Sequence, residues 1–376
     1  MKRHPDRREF CRLGLGLGLG PAGLAGLAPR PARAAEDPAA LASKAVAFLR
    51  PRQGKDGSWS GDREPGITGL VVAGLLRSRQ VTPDDPAVVR GLQFLDGYVD
   101  PKGGLAKAPH SNYSTSVALM AYKEANRDGR YDALIKGAQG FLKENQADES
   151  EGKAPTDPAY GGSNYGGAGR PDLSNTAFMM EALRDSGLPA DDPALKKALV
   201  FVSRSQNLKG EFNDQPWADK VNDGGFIYVA AAGGRGAEGK AARQPGDPIP
   251  SNAGMTYAGL KSMIYAGLTP DDPRVKAALG YIQHHYTVDE NPGQGQRGLY
   301  YYYHTLARAL AALGKPTLVD ADGKKHDWRA DLVAALAKRQ EPTGAWANRE
   351  DRFMEGDPHI VTSYALLALA AIRDVK

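Results

Sequence analysis

Thiol chemistry is almost absent from this chain: its 376 residues include one cysteine, Cys11. That residue lies in a segment expected to be removed, so the remainder has no disulfide, no thiolate nucleophile and no cysteine metal ligand. Long apolar runs are missing as well. Beyond residue 35 nothing approaches the ~18 apolar residues of a membrane-spanning helix. A strong charge imbalance is the third absence. Residues 1–34 hold seven Lys/Arg and two Asp/Glu, a net of +5 against +4 for the whole chain, so the rest is near −1. No long-range field draws that part toward nucleic acid or anionic lipid.

The removable segment reads MKRHPDRREFCRLGLGLGLGPAGLAGLA. It has a basic start, Arg7-Arg8 followed by Phe10, and a weakly apolar Gly/Leu run. Pro31-Ala32-Arg33-Ala34-Ala35 supplies an Ala-x-Ala site for a signal peptidase. Residues 1–35 are therefore expected to be a twin-arginine export signal, which places the protein in the periplasm or outside the cell. Residues 36–376 are expected to form one domain.

What is present is a repeat. Aspartates at 37, 85, 132, 192, 272 and 327 each open an apolar pattern with helical i, i+3, i+4, i+7 spacing. Nine residues on stand Val46, Phe94, Phe141, Phe201, Tyr281 and Leu336. The Asp-Pro pairs, including the twice-used TPDDP, suit a helix start: proline needs no amide hydrogen in the first turn, and the preceding aspartate caps the free amides. A glycine loop follows each helix. Three loops share glutamine, glycine four on and an aromatic six on: Gln53-Gly57-Trp59, Gln206-Gly210-Phe212 and Gln340-Gly344-Trp346. Each loop leads to a second helix rich in small residues. Six helix–loop–helix units predict an all-α fold, with amphipathic helices outside and small-residue helices inside. Long loops in units three to five favour a closed α/α toroid, an α6/α6 barrel with one built-up mouth, over an open superhelix.

These Gln-x3-Gly-x-Trp loops resemble the QW repeats of the squalene cyclase and protein prenyltransferase β-subunit superfamily, over nearly the whole mature chain. The resemblance implies the toroid and leaves the chemistry open. Squalene-type cyclases donate a proton from Asp-x-Asp-Asp-Thr-Ala. The matching stretch here is Asp172-Leu173-Ser174-Asn175-Thr176-Ala177, with serine at the donor position. Ser174 and Asn175 read instead as helix caps. The prenyltransferase zinc site needs a cysteine, so no metal and no cofactor is expected. Asp223-Gly224-Gly225-Phe226 echoes a Gly-Gly-Phe stretch of those subunits, which makes Phe226 a substrate-binding candidate.

The remaining candidates are few. Asp172 is the first choice for a catalytic acid at the mouth of the third inner helix, with Arg170 beside it as a binding residue or an ordering ion pair. Asp223 is the second acid, next to a long Gly/Pro-rich insertion at 233–252. In YYYYHTLARAL, Tyr300, Tyr303 and His304 share one helical face, with Tyr301 and Tyr302 turned elsewhere. The tyrosines would line a cavity or pack between repeats, and His304 would be a base or a hydrogen-bonded core residue. Glu355, Asp357 and His359 read as a surface loop. Three functions remain: an enzyme acting on an isoprenoid or other apolar molecule, a non-catalytic toroid binding a lipid or partner, and a carbohydrate-active toroid with two acids at its mouth. An apolar, aromatic cavity with Asp172 at its mouth favours the first, and a filled or polar centre speaks against it. If the acid works on a ligand in the barrel, Asp172→Asn abolishes turnover of whatever mass spectrometry finds co-purified.

Overall fold

The computed structural model describes residues 37–61, 64–230 and 247–375. The expected leader and most of the 233–252 insertion lie outside them. Twelve α-helices among the described residues run as six hairpins. They are α1 (Pro38–Leu49) with α2 (Pro65–Arg77), α3 (Pro86–Asp96) with α4 (Ser111–Ala125), and α5 (Asp132–Glu144) with α6 (Leu173–Asp185). The second half follows with α7 (Pro193–Arg204) and α8 (Ala253–Tyr265), α9 (Pro273–His285) and α10 (Leu299–Leu313), and α11 (Trp328–Arg339) and α12 (Pro358–Asp374). A two-residue antiparallel pair, β1 (Leu318–Val319) with β2 (Lys325–His326), precedes α11.

The even-numbered helices form a closed inner ring. Each packs on the next, and α12 packs back on α2. The odd-numbered helices lie outside, in the grooves between inner neighbours. Burial follows the composition: every residue of α2 is buried, whereas α5 buries only Ile135, Ala138, Phe141 and Leu142, a single face. The architecture is the α/α toroid that the repeat implies.

Aspartate starts the outer helices as expected in five units. Asp37, Asp85, Asp192 and Asp272 each accept the backbone N–H two residues on at 2.9 Å, and Asp327 accepts from Arg329 and Ala330. The third unit differs. Asp132 lies inside α5, Tyr131 holds the cap position without a capping bond, and Asn126 donates to the Asp132 carboxylate.

A glutamine staple joins successive units. Its amide nitrogen donates to the carbonyl of its own loop glycine and to one in the first turns of the next outer helix. Gln53 reaches Gly57 and Ala87; Gln146 reaches Gly161 and Ala194; Gln206 reaches Gly224 and Arg274. Gln340 reaches Gly344 and Leu41, both at 3.0 Å, and so ties the last unit to the first. The glycine is obligatory there. At Gly344 φ is +89°, and a methyl group would overlap the Lys44 carbonyl. Two residues beyond each loop glycine, the N–H of Trp59, Leu105, Ser163, Phe226 or Trp346 donates to a threonine hydroxyl of the following inner helix.

This pattern corrects the sequence alignment in two units. In the fourth, the glycine and aromatic of the staple are Gly224 and Phe226, not Gly210 and Phe212. Gly210 has no neighbour around its missing Cβ, and Phe212 is 41% exposed. A loop inserted between Gln206 and Gly224 had concealed the spacing. In the first, Leu41 and Lys44 take the places held elsewhere by residues two and five beyond the aspartate, so α1 is shifted by two residues and Phe48, not Val46, matches Phe94.

The two assignments separate by mutation. Phe226→Ala will cost about 3–5 kcal/mol and Gly224→Ala about 1–3 kcal/mol or more, from backbone strain. Gly210→Ala and Phe212→Ala will stay within about 1 kcal/mol in denaturant unfolding.

Candidate functional site

All six inner helices point their N-termini at the same end of the barrel. There they enclose a cavity of about 210 Å³. Every inner helix supplies part of its wall: Ile67 from α2, Tyr113 from α4, Asn175 and Phe178 from α6, Met255 from α8, Tyr301 from α10, and Ile360 and Tyr364 from α12. Loop residues Tyr165, Tyr228, Phe353, Met354 and Glu355 complete the rim. The lining is mainly apolar and holds seven aromatic rings. Phe178 contacts Tyr113 edge-on at 5.4 Å and Tyr301 at 6.0 Å, and Tyr301 meets Tyr364 edge-on at 5.9 Å.

Three acids stand around this cavity in different states. Glu64 and His110 hold the cap positions of α2 and α4, yet neither makes a capping bond. They pair with each other through His110 Nδ1 and Glu64 Oε2, and Ser114 donates to the other carboxylate oxygen at 3.3 Å. Glu355 comes from the loop before α12 and is fully buried. It accepts the N–H groups of Tyr300 (3.0 Å) and Tyr301 (2.8 Å) at the start of α10, and the Asn348 amide at 2.6 Å. Burial outweighs these donors and pushes its pKa up to about 7. Asp172 caps α6, accepting from Asn175 N–H (2.9 Å) and the Asn175 side-chain amide (2.7 Å). Burial raises its pKa to about 6, but Asn175 stands between it and the cavity.

Below the aromatic floor the barrel axis is filled with charge. Glu181 of α6 is fully buried against Lys261 of α8, Arg308 of α10 and Arg77 of α2. Asp185 binds Arg77 and Arg308, and Glu124 of α4 binds Arg77. Three basic and three acidic side chains balance. Pairing holds the Glu181 carboxyl well below the usual range despite its burial. His304 joins from α10, its Nε2 at 3.5 Å from Glu181, stacked between Phe178 and Tyr364. Burial lowers its pKa to about 4, so it is neutral. The far end opens into a separate polar depression bounded by Arg77, Glu124, Asp185 and Arg308.

The sequence candidates thus scatter. Asp172 is at the mouth but behind its wall, and it, not Ser174 or Asn175, is the cap. Arg170 is exposed, lines a surface depression with Asn145 and Lys153, and forms no ion pair with Asp172. Asp223 is exposed and orders its loop by accepting from Gly225 N–H and the Ser251 hydroxyl. Phe226 is a fully buried staple residue away from the cavity. The tyrosine face is displaced by one residue. Tyr301 looks into the cavity, while Tyr300 and Tyr303 pack on each other, with the Tyr303 hydroxyl bound to the Val288 carbonyl. His304 lies beneath the floor, in the charged plug. Among the described residues no three His, Cys, Asp or Glu converge as metal ligands. Asp357 caps α12 and, with His359, holds the Ser60 hydroxyl.

Sequence reasoning missed Glu64, His110 and the inward turn of Glu355. One signal was available: Glu64 and His110 sit immediately before inner helices, where Asp172, Asn252 and Asp357 sit in their own units.

Among known proteins, the chain is 25% identical to the squalene–hopene cyclase of Alicyclobacillus acidocaldarius over 177 residues, 44% of this chain and 27% of that protein. The match thus spans about a quarter of the curated relative. No family model matches the chain. Solved structures of similar fold include a D-mannose isomerase (TM-score 0.53, 14% identity, 89% of this chain and 97% of that one). A family 76 glycoside hydrolase from a bovine Bacteroides thetaiotaomicron strain is another (TM-score 0.54, 11% identity, 88% and 77%). An inactive α-1,6-mannanase variant of Salegentibacter, solved with α-1,6-mannotetrose, is a third (TM-score 0.53, 11% identity, 89% and 100%). The chain is a squalene cyclase-like α/α toroid, and at these identities the solved structures speak for the fold alone.

Glu355 makes the site's stability pH-dependent. The folded state keeps a proton that the unfolded chain loses near 4.5, so the contribution of Glu355 to stability falls as pH rises from there to about 7. The slope approaches about 1.4 kcal/mol per pH unit. Asp172 adds a fall of the same sign below about 6, and His304 an opposing rise between about 4 and 6.5. The share of Glu355 is therefore read as the difference between wild type and Glu355→Gln in urea unfolding, which should shrink as pH rises from 4.5 to about 7.

Proposed function

We propose that the barrel mouth binds a small, largely apolar molecule of isoprenoid type, and that Glu355 and the Glu64–His110 pair carry out proton transfer on it. The observation that carries this reading is an aromatic cavity walled by all six inner helices, with a buried carboxyl in its rim whose pKa is about 7. A carboxylic acid of that strength is half protonated near neutral pH, where a general acid is most useful. Glu64, hydrogen-bonded to His110, provides a partner able to take the proton. The faces of Phe178, Tyr301 and Tyr364 stabilise positive charge developing on the ligand. The charged plug limits how far a ligand enters. At about 210 Å³ the cavity lies below the ~300–1,000 Å³ of typical drug-sized sites, so a short molecule, or one end of a longer one, suits it better than a triterpene.

A carbohydrate is the second reading. Glu64 and Glu355 line the mouth, and Tyr165 and Phe353 remain 41% and 42% exposed, as stacking platforms for a sugar would. Export through the twin-arginine route belongs to the same proposal. Replacing Arg7 and Arg8 with lysine should leave unprocessed protein in the cytoplasm on cell fractionation, and unchanged export would refute that route.

Mass spectrometry of small molecules extracted from the purified full chain tests the main reading. A short isoprenoid-like compound should be retained, and Phe353→Ala, at the exposed rim, should reduce its recovery several-fold. Binding of manno-oligosaccharides with no apolar compound retained would favour the second reading.

A further inference from the structure

The depression at the far end of the barrel carries charge that the plug does not match. Its volume is about 440 Å³, against about 210 Å³ for the mouth cavity. Arg77 and Arg308 form its floor, where Glu181, Asp185 and Glu124 balance them. The rim is different. Arg79, Lys123, Arg127 and Arg373 stand there with one further acid, Asp374. Asp374 is shared: Arg79 reaches its Oδ1 at 3.1 Å, and Arg373 donates to both oxygens at 2.9 and 3.1 Å. Among the described residues, Lys123 and Arg127 meet no acid. Four positive charges against one therefore gather in a single concavity of a protein whose expected mature chain is near −1. Helix ends account for part of this. Lys123 and Arg373 lie in the last turns of α4 and α12, where a cation offsets the helix dipole. Arg79 and Arg127 lie beyond the ends of α2 and α4. Arg79 is the telling one. Two residues past the last turn, α6 and α8 place Gly187 and Gly267 at φ of +107° and +90°. The same position after α2 holds Arg79 at φ +58°, a conformation that a side chain makes unfavourable. Its ion pair with Asp374 is largely exposed and repays little of that.

We propose that this depression binds a small, multiply charged oxyanion of the phosphate type, held by the four rim cations. Three of them are arginines, whose planar forks take two oxygens of one phosphate group at once. A singly charged carboxylate would leave most of the excess charge unmatched. The floor does not repel the anion, because Asp185 and Glu124 are already paired with Arg77 and Arg308. The ligand is not the head of a molecule seated in the mouth, since the plug lies between the two spaces. The proposal therefore stands independently of what the mouth binds.

Calorimetric titration of the full chain with inorganic pyrophosphate and with acetate tests the site, with sodium chloride holding the ionic strength constant. The wild type should bind pyrophosphate about tenfold or more tightly than acetate. Replacing Lys123 and Arg127 together with alanine should weaken pyrophosphate by about tenfold or more. The control pair Lys55→Ala and Lys276→Ala removes the same charge from exposed positions elsewhere and should leave the affinity within about twofold. Arg79→Gly restores the glycine used after α6 and α8. It should keep or raise stability in urea while weakening pyrophosphate several-fold. No pyrophosphate binding by the wild type overturns the proposal, as does an equal loss in the two double variants, which marks a diffuse field. An Arg79→Gly variant that loses stability but keeps its pyrophosphate affinity overturns it too, and assigns Arg79 a structural role.

Discussion

The contact between Gln340 and Leu41 is the one on which the rest of the molecule turns. Twelve helices could stack into an open superhelix with the same hairpins and the same buried faces. Here the last loop docks on the first helix. Gln340 donates to the Leu41 carbonyl, Gly344 lies flat against Lys44, and α12 packs on α2. Closure fixes two consequences. Six helix N-termini must meet at one end, and the ring must have an axis that something fills.

The axis is filled in two layers of different chemistry. The mouth layer is aromatic and leaves a cavity. The layer beneath it is an ion network contributed by five of the six inner helices, with α12 supplying mainly alanine and leucine. Isolated charges in such a place would be prohibitive, but three against three, each with hydrogen-bonded partners, is tolerable. The plug therefore sets the depth of the cavity. The centre thus combines two characters, an aromatic cavity at the mouth and a filled, charged axis beneath it.

The scaffold was legible in the sequence because its signals are local. An aspartate before a helix, a glycine that must take positive φ and a glutamine four residues earlier each act over a few residues, and repetition put them in phase. Gly224 and Phe226 were obscured because the insertion after Gln206 broke the spacing while Gly210 and Phe212 imitated it. The site was less legible because it is made of one to three residues from each inner helix together with loop residues. Its tyrosine was placed one position out, since the face that α10 turns inward depends on its packing against α8 and α12, which local sequence does not show. The charged plug did leave a trace. Glu181, Lys261 and Arg308 each interrupt a helix of small and apolar residues, and an inner helix has only the axis in which to put a charge.

Ring closure leaves an apolar chamber at the N-terminal end, floored by the ion network. Diffraction from crystals under xenon pressure tests this most directly, since xenon enters dry apolar cavities and avoids polar ones. The account predicts anomalous density among Phe178, Tyr301 and Tyr364 and none in the depression beside Arg77 and Arg308. No xenon among those rings, or xenon on the far side of the plug, would contradict it.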